Sequence, residues 1–132
     1  VSRKYLGIVC MTICIGIRGA TQSETNSASD IYAATRELLE QMIEKNGILE
    51  EQVAAAFFTV TNDLNAAYPA AAARQLGWNE TALMCSTEIP VPDYPEKCIR
   101  VLILVNTDKS KADIMNVYLK ETFLLRQKGL ED

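Results

Sequence analysis

A run of aliphatic and β-branched residues covers positions 97–107 and is interrupted by a single arginine, Arg100. Such a run is typical of a strand that is buried inside a sheet. An arginine is seldom buried unless an anion is paired with it. The pattern therefore predicts a strand over residues 98–107 and an anionic partner for Arg100.

Two further strands are predicted in the first half of the chain. Isoleucines alternate with other residues along Met11 to Arg18, as on one face of a strand, and a polar loop follows. The apolar run from Val53 to Thr61 is continuous, which is expected of a strand covered on both faces.

A helix is predicted between these two strands because apolar residues recur there at intervals of three and four. Ser29 or Asp30 is the expected N-cap, and Asn46-Gly47 is the expected end. The apolar face consists of Ile31, Ala34, Leu38, Leu39, Met42 and Ile43. Such a face predicts that the helix covers a sheet.

The rest of the chain gives shorter elements. Three prolines between residues 90 and 95 require a loop. A third helix, capped by Asp108 or Ser110, would carry Ile114, Val117 and Tyr118 on one face. The other predicted elements are a helix over 70–76 that begins after Pro69, a strand over 82–85 and a last strand over 123–126.

The element order β-α-β-α-β-β-α-β predicts a mixed sheet with helices packed on it, in the α/β or α+β class. The chain has 132 residues, 48% hydrophobic and 23% charged, which suits a single globular domain over residues 1–132. Residues 1–10 would be a leader or an extension of the first strand, and residues 127–132 a mobile tail.

Charge and composition exclude several functions. The chain has 13 Lys and Arg against 17 Asp and Glu, a net charge of -4, which argues against nucleic acid as a partner. There is no histidine, so Ser-His-Asp and Cys-His catalysis and most zinc sites are excluded. Any chemistry depends on Arg, Lys, Tyr, Cys, Asp and Glu.

The cysteines and the first residues of the chain indicate the cellular compartment of the protein. Cys10, Cys14, Cys85 and Cys98 form no C-x-x-C pair, and we interpret them as reduced thiols of a cytoplasmic protein. The basic and apolar residues from 2 to 17 imitate a secretory signal, but the apolar part is too short to span a bilayer and lacks a cleavage site. We therefore expect no membrane association.

Four arginines, Arg18, Arg74, Arg100 and Arg126, lie within predicted elements or at their ends. Taken singly, each is explained as a surface or salt-bridged side chain. If they converge, their paired N–H donors would bind a ligand that carries two acidic groups. The stretch Gly16-Ile17-Arg18-Gly19 lacks the spacing of a dinucleotide-binding loop.

Other polar candidates have ordinary structural explanations as well. Glu88 would be a solvated loop carboxylate, Cys85 a core thiol, and Tyr118 a helix residue with a packed ring and a hydrated hydroxyl. Residue type alone does not separate these readings from a functional one.

Five stretches together resemble the trimeric, mixed α/β class of chorismate mutase. They occur in that family's order and with nearly its spacing. They are Gly16-Ile17-Arg18-Gly19-Ala20-Thr21, Asp63-Leu64-Asn65-Ala66-Ala67-Tyr68-Pro69-Ala70 with Arg74, Cys85-Ser86-Thr87-Glu88, Lys97-Cys98-Ile99-Arg100-Val101, and Val117-Tyr118-Leu119 with Leu125-Arg126.

The resemblance implies the rearrangement of chorismate to prephenate, without cofactor, metal or covalent intermediate. It also implies a pseudo α/β barrel homotrimer with pockets between subunits. The implied catalytic residues are Arg100, Glu88, Arg18, Tyr118 and Cys85. The implied substrate-binding residues are Arg74, Tyr68, Ala70, Leu83, Met84, Leu125 and Arg126.

Within that resemblance, Arg100 would donate to the ether oxygen, and Arg18 and Tyr118 would hold the side-chain carboxylate. Glu88 and Cys85 would contact the ring hydroxyl. The chain departs from the family at three positions: Tyr68 stands for phenylalanine, Ala71 for lysine and Met84 for threonine. Two alternatives stay open, a trimeric enamine/imine deaminase and a non-catalytic trimeric sensor of an acidic metabolite.

Overall fold

The structure, a computed structural model, describes residues 12–127. Its strands form one five-stranded mixed sheet in the order β3-β2-β4-β1-β5. The strands are β1 (Ile13–Gln22), β2 (Val53–Val60), β3 (Ala82–Thr87), β4 (Cys98–Thr107) and β5 (Val117–Tyr118). The helices are α1 (Ala28–Asn46), α2 (Ala70–Gln75) and α3 (Leu124–Gln127), with short 3-10 turns at Glu50–Gln52, Lys111–Asp113 and Lys120–Phe123.

Strand β4 is the centre of the sheet and has the bounds that its apolar run predicts. It pairs antiparallel with β1 on one side and with β2 on the other. The two outer strands, β3 and β5, pair parallel with β2 and β1. The predicted class, a mixed sheet with packed helices, is confirmed.

Helices α1 and α2 cover one face of this sheet. Alternate residues of β4, including Val101 and Ile103, are buried there against Leu38 and Leu39 of α1. Because α1 has one apolar stripe, it buries that stripe against the sheet and leaves its other side in water. None of the helices within residues 12–127 is long and apolar enough to cross a membrane.

Within residues 12–127 no long helix lies on the opposite face, which we call the open face. Its residues are Arg18, Phe57, Thr59, Met84, Arg100 and Leu102, each of which is partly or largely exposed. Among the described residues, α3 covers one end of it, where Leu125 packs on Ala20 and Cys98. The prediction that β2 is covered on both faces is therefore wrong for the single chain, since Phe57 is 37% exposed.

The first helix differs from its prediction at the N-terminus alone. Ser27, not Ser29 or Asp30, is the N-cap, because its hydroxyl accepts a hydrogen bond from the backbone N–H of Asp30. The helix ends at Gly47 as predicted, with φ of 61°, a left-handed conformation that glycine adopts without strain.

Strands β1 and β3 run further than predicted. β1 continues past Arg18 to Gln22 because polar residues at its end pair with the first residues of β4. β3 likewise reaches Thr87 through its pairing with β2. Met11, the predicted start of β1, and the predicted leader over residues 1–10 lie outside the described residues, as does the tail beyond residue 127.

Two predictions after β4 are wrong. Val117 and Tyr118 form strand β5 rather than part of a third helix, and the segment before them holds only a 3-10 turn. Backbone groups on the outer edge of β1 need hydrogen-bond partners, and Val117 and Tyr118 supply them by pairing with that edge. The backbone N–H of Leu119 also donates to the carbonyl of Ala20. Residues 123–126 belong to a 3-10 turn and α3, not to a last strand.

Candidate active site

The register of the five strands sets a row of side chains across the open face. Tyr118 of β5 lies beside Ala20 of β1, which pairs with Arg100 of β4. Arg100 pairs with Thr59 of β2, which lies beside Ser86 of β3. Paired residues of neighbouring strands point to the same face, so these five positions form one line with Arg100 at its centre.

Arg100 finds its anion in Glu88, the residue that follows β3. Nη2 of Arg100 donates to Oε1 of Glu88 over 2.9 Å, and Nε donates to Oε2 in a second, very short contact. This is the forked geometry that a guanidinium and a carboxylate favour. The side chain of Glu88 is 9% exposed and that of Arg100 is 28% exposed, so the arginine remains the more accessible partner.

Two hydroxyl groups also hold Glu88. Thr59 Oγ1 donates to Oε2 over 2.5 Å, and the Tyr94 hydroxyl donates to the same oxygen over 3.3 Å. Burial by itself raises the pKa of Glu88, but the hydrogen bonds from Arg100 and Thr59 outweigh burial and hold the pKa below its ordinary value. Glu88 is therefore an ionised carboxylate in a fixed orientation.

Next to Arg100, a cavity of about 270 Å³ opens on the open face. Arg18 and Arg100 both line it, and Arg18 pairs with Leu102, two residues along β4 from Arg100. Phe57 and Leu102 supply the apolar walls of the cavity. The backbone N–H of Arg18 is fixed by the Asn116 side chain at 2.8 Å. Two guanidiniums beside apolar walls suit a ligand with a carboxylate on a hydrophobic body.

Cys85 lies on the other side of the sheet, since it alternates with Ser86 and packs against the core beneath α1 and α2. It lines a second cavity, of about 570 Å³, together with Tyr68 and Pro69. Burial raises the pKa of the Cys85 thiol, while the backbone of Ala70 and the charge of Arg74 oppose that rise. Arg74 is thus close enough for its charge to act on the thiol.

The predicted site residues therefore fall into two groups. Arg18, Glu88, Arg100 and Tyr118 meet on the open face, and Leu125 is buried at the end of that face. Tyr68, Ala70, Arg74, Leu83 and Cys85 belong to α2, β3 and the turn before α2, on the helix side. Within one chain, Cys85 lies on the helix side of β3, whereas Glu88 pairs with Arg100 on the open face.

The two remaining predicted residues are peripheral. Met84 lies on the open face near its β3 edge and is 60% exposed. Arg126 is an exposed residue of α3. Their predicted contacts with a ligand stay predictions.

Sequence reasoning missed two residues that contact the site. Thr59 is a polar residue within an apolar strand, the same signal that made Arg100 a candidate, and it could have been found that way. Tyr94 lies in the proline-rich loop, where no periodicity indicates which way a side chain points. Across residues 12–127, no group of three or more Cys, Asp or Glu side chains could hold a metal ion.

Comparisons with known proteins agree with this architecture. Residues 14–128 match the family described as chorismate mutase type I. Chorismate mutase AroH of Thermus thermophilus is 48% identical over 112 residues, which cover 84% of this chain and 92% of the relative. Chorismate mutase AroH of Bacillus subtilis (strain 168) is 40% identical over 112 residues, 84% of this chain and 88% of the relative.

A solved structure is similar as well. A chorismate mutase from Clostridium thermocellum superimposes with a TM-score of 0.82 at 54% identity, and the match covers 84% of this chain and 99% of that chain. The match to the family model, residues 14–128, extends from the second residue of β1 through β5 and includes Arg18, Glu88 and Arg100.

Proposed function

Because this chain belongs to the type I chorismate mutase family, we propose that it converts chorismate to prephenate, as an isomerase of aromatic amino acid biosynthesis. The observation that carries the proposal is the Arg100–Glu88 pair beside the cavity that Arg18 shares. In this rearrangement one C–O bond breaks while one C–C bond forms, within a single molecule. Protein side chains therefore act by positioning and by electrostatic stabilisation.

Arg100 is proposed as the donor to the ether oxygen, which gains negative charge as the C–O bond breaks. The central strand and the Glu88 carboxylate fix the guanidinium in advance, so little reorganisation is needed during the reaction. A guanidinium has five N–H donors, and the bonds to Glu88 use two of them.

The neighbouring residues are proposed as ligands for the rest of the substrate. Arg18 and Tyr118 would hold the side-chain carboxylate from the same face as Arg100. Glu88, kept ionised, would accept a hydrogen bond from the ring hydroxyl and face the positive charge that develops on the ring. Cys85 would contact that hydroxyl from the other side.

The size of the effect is consistent with several residues acting together. A rate gain of about a million-fold corresponds to roughly 8 kcal/mol of transition-state stabilisation. One preorganised donor supplies about 3–4 kcal/mol, and restricting the substrate to its reactive conformation supplies several more.

We further propose a homotrimer, with each active site at a boundary between subunits. Two features support this arrangement. The open face carries exposed apolar residues beside Arg18 and Arg100, and the helix-side group around Cys85 lies on the opposite face of the same sheet. A second chain would bring one group to the other, and buried arginines would gain anions from substrate and partner.

Among described residues, Cys14, Cys85 and Cys98 are unpaired thiols, in keeping with a cytoplasmic enzyme.

The test is an assay of the purified protein with chorismate, following loss of chorismate absorbance and appearance of prephenate. We expect acceleration far above buffer. If the protein binds a dicarboxylate but does not accelerate the reaction, the sensor alternative holds. If it instead releases ammonia from an enamine or imine, the deaminase alternative holds. The mutase name of the relatives supports the first outcome.

A further inference from the structure

The proposed reaction gives Tyr94 no role, yet the hydroxyl of Tyr94 forms a hydrogen bond with Glu88. It donates to Oε2 over 3.3 Å, the same oxygen that Thr59 and Nε of Arg100 use. The side chain is half-buried, and it also lies within hydrogen-bonding reach of the Cys98 thiol. The contact is partly buried, and its acceptor is a charged carboxylate, which strengthens a hydrogen bond relative to a neutral acceptor.

The loop around Tyr94 is held at its end. Lys97 donates its backbone N–H to Oδ2 of Asp63 at 2.8 Å, and its carbonyl accepts from Ser23 at 2.8 Å. Asp93 has φ of 67°, a left-handed conformation that aspartate tolerates better than most residues, and it turns the chain just before the tyrosine.

The ring of Tyr94 is also packed. It contacts the cluster of Ala20, Cys98 and Leu125 at the covered end of the open face. Packing on one side and the anchored loop on the other restrict the ring, so the hydroxyl is presented to Glu88 in one orientation.

We propose that Tyr94 is a positioning residue, whose hydroxyl fixes the Glu88 carboxylate against Arg100. This inference rests on the proposed function for its kinetic consequence, but not for its structural one. Tyr94 acts through Glu88 and would not touch the substrate itself.

Several ionisable groups surround Glu88 and must be considered in any titration. From β4 these are Arg100 and Cys98, and from the loop Tyr94 itself. Burial raises the pKa of Cys98 to about 12 and also raises the pKa of Tyr94, so both stay protonated at neutral pH. Asp63 and Glu96 line the cavity of about 280 Å³ that Glu88 also lines. Of these, Arg100 and Tyr94 stabilise the Glu88 carboxylate.

The test is Tyr94→Phe, which removes the hydroxyl and retains the packed ring. The pKa of Glu88 is measured by carbon NMR of the side-chain carboxyl group in ligand-free protein. We expect it to rise by about 0.5 unit, since one of the donors to the ionised form is lost. Thr59→Val should raise it more, because its bond to the same oxygen is shorter.

The kinetic measurement is the pH profile of kcat/KM, which reports ionisations of the free enzyme. For Tyr94→Phe the acid limb should move to higher pH, with about threefold loss on that limb and little loss at alkaline pH. A matched control is Thr25→Val, which removes a hydroxyl that donates to Asp30 over 2.6 Å, away from the site. It should leave the acid limb unchanged.

Unchanged NMR titration in Tyr94→Phe would overturn the proposal. So would a loss of activity that is equal at all pH values, because that result indicates packing alone. If the protein has no mutase activity, the proposed function fails, but the NMR titration still decides whether Tyr94 holds Glu88.

Discussion

The two faces of the sheet differ in whether helices of the same chain bury their side chains. On the helix-covered face, residues such as Ile17, Phe58 and Ile103 are almost fully buried by α1 and α2 of the same chain. On the open face, the alternate positions Arg18, Arg100 and Phe57 retain exposure. Because side chains of a strand alternate, adjacent residues of one strand belong to these two environments.

This difference separates stability from function. The covered face is apolar and complementary to its helices, so it accounts for folding. The open face carries the ion pair, the cavity and exposed apolar side chains, and in the proposed function it is the face for ligand binding and assembly. A substitution on the covered face should therefore affect mainly stability, and one on the open face mainly activity or assembly.

The largest effect is expected from Phe57→Glu on the open face. In the proposed homotrimer this position would lie between subunits, where burying a carboxylate costs several kcal/mol even beside the guanidiniums of Arg18 and Arg100. We expect the solution mass to fall from three chains to one and mutase activity to disappear, while the circular dichroism of the helices is retained. Sedimentation and chorismate turnover measure these outcomes.

The control for that substitution is Leu49→Glu. Leu49 is 57% exposed but lies in the turn before β2, away from the open face. Its mass and activity should match those of the wild type. An intact trimer in Phe57→Glu would show that the open face is not the interface.

The next largest effect is expected from Arg100→Ala. Removing a preorganised donor lowers kcat by about 10²–10³-fold, or about 3–4 kcal/mol. KM should change much less, because in the proposed reaction the main contact of Arg100 strengthens only as the C–O bond breaks. Steady-state kinetics measure the two constants. Arg36→Ala, at an exposed position of α1, is the matched control. A rise in KM at unchanged kcat would contradict the role of Arg100.

Much of the covered face could be predicted from the sequence. Hydrophobic periodicity gives the bounds of β4 and the end of α1, because burial of those apolar residues drives the fold locally. Sequence spacing predicts a helix for Val117 and Tyr118, but they form a strand of only two residues that is specified by a distant edge of β1. Local spacing contains no information about such an edge.

The site was predictable in its residue types but not in its geometry. Arg100 within an apolar strand indicates a buried anion, and Glu88 is that anion. The separation of Cys85 from Glu88 depends on which residues of β3 face the helices. Tyr94 depends on the course of an irregular loop, which propensity does not specify.

A smaller effect is expected from Gly19→Ala on the covered side of β1. A β-carbon there would overlap the Met42 sulfur and press on Leu38 of α1, so these fully buried side chains would have to shift. Overpacking of this kind costs about 1–3 kcal/mol of unfolding free energy. Urea unfolding at one fixed protein concentration measures the loss, since an oligomer's stability depends on concentration.

Gly16→Ala is the paired variant on the other face of the same strand. Its β-carbon would meet only the ends of Leu102 and Leu104, at 3.2 and 3.7 Å, and these flexible side chains can shift. We expect stability within about 1 kcal/mol of the wild type, because alanine has lower backbone entropy than glycine in the unfolded chain and so loses less on folding. Equal losses in the two variants would mean that both faces are packed equally tightly.

The smallest effect concerns the stability that Glu88 contributes through its charge. Its pKa is lower in the folded protein than in the unfolded chain, so the unfolded state binds the proton more tightly. The contribution is therefore present above the unfolded pKa, about 4.3, and is lost as the pH falls through the lower folded pKa.

Glu88→Gln cannot ionise, so the difference in unfolding free energy between it and the wild type should shrink between neutral and acidic pH. Urea titrations at several pH values measure this, with Glu40→Gln on the exposed side of α1 as the control. A constant difference would mean that the ion pair with Arg100 serves the geometry of the open face and adds nothing to folding through its charge.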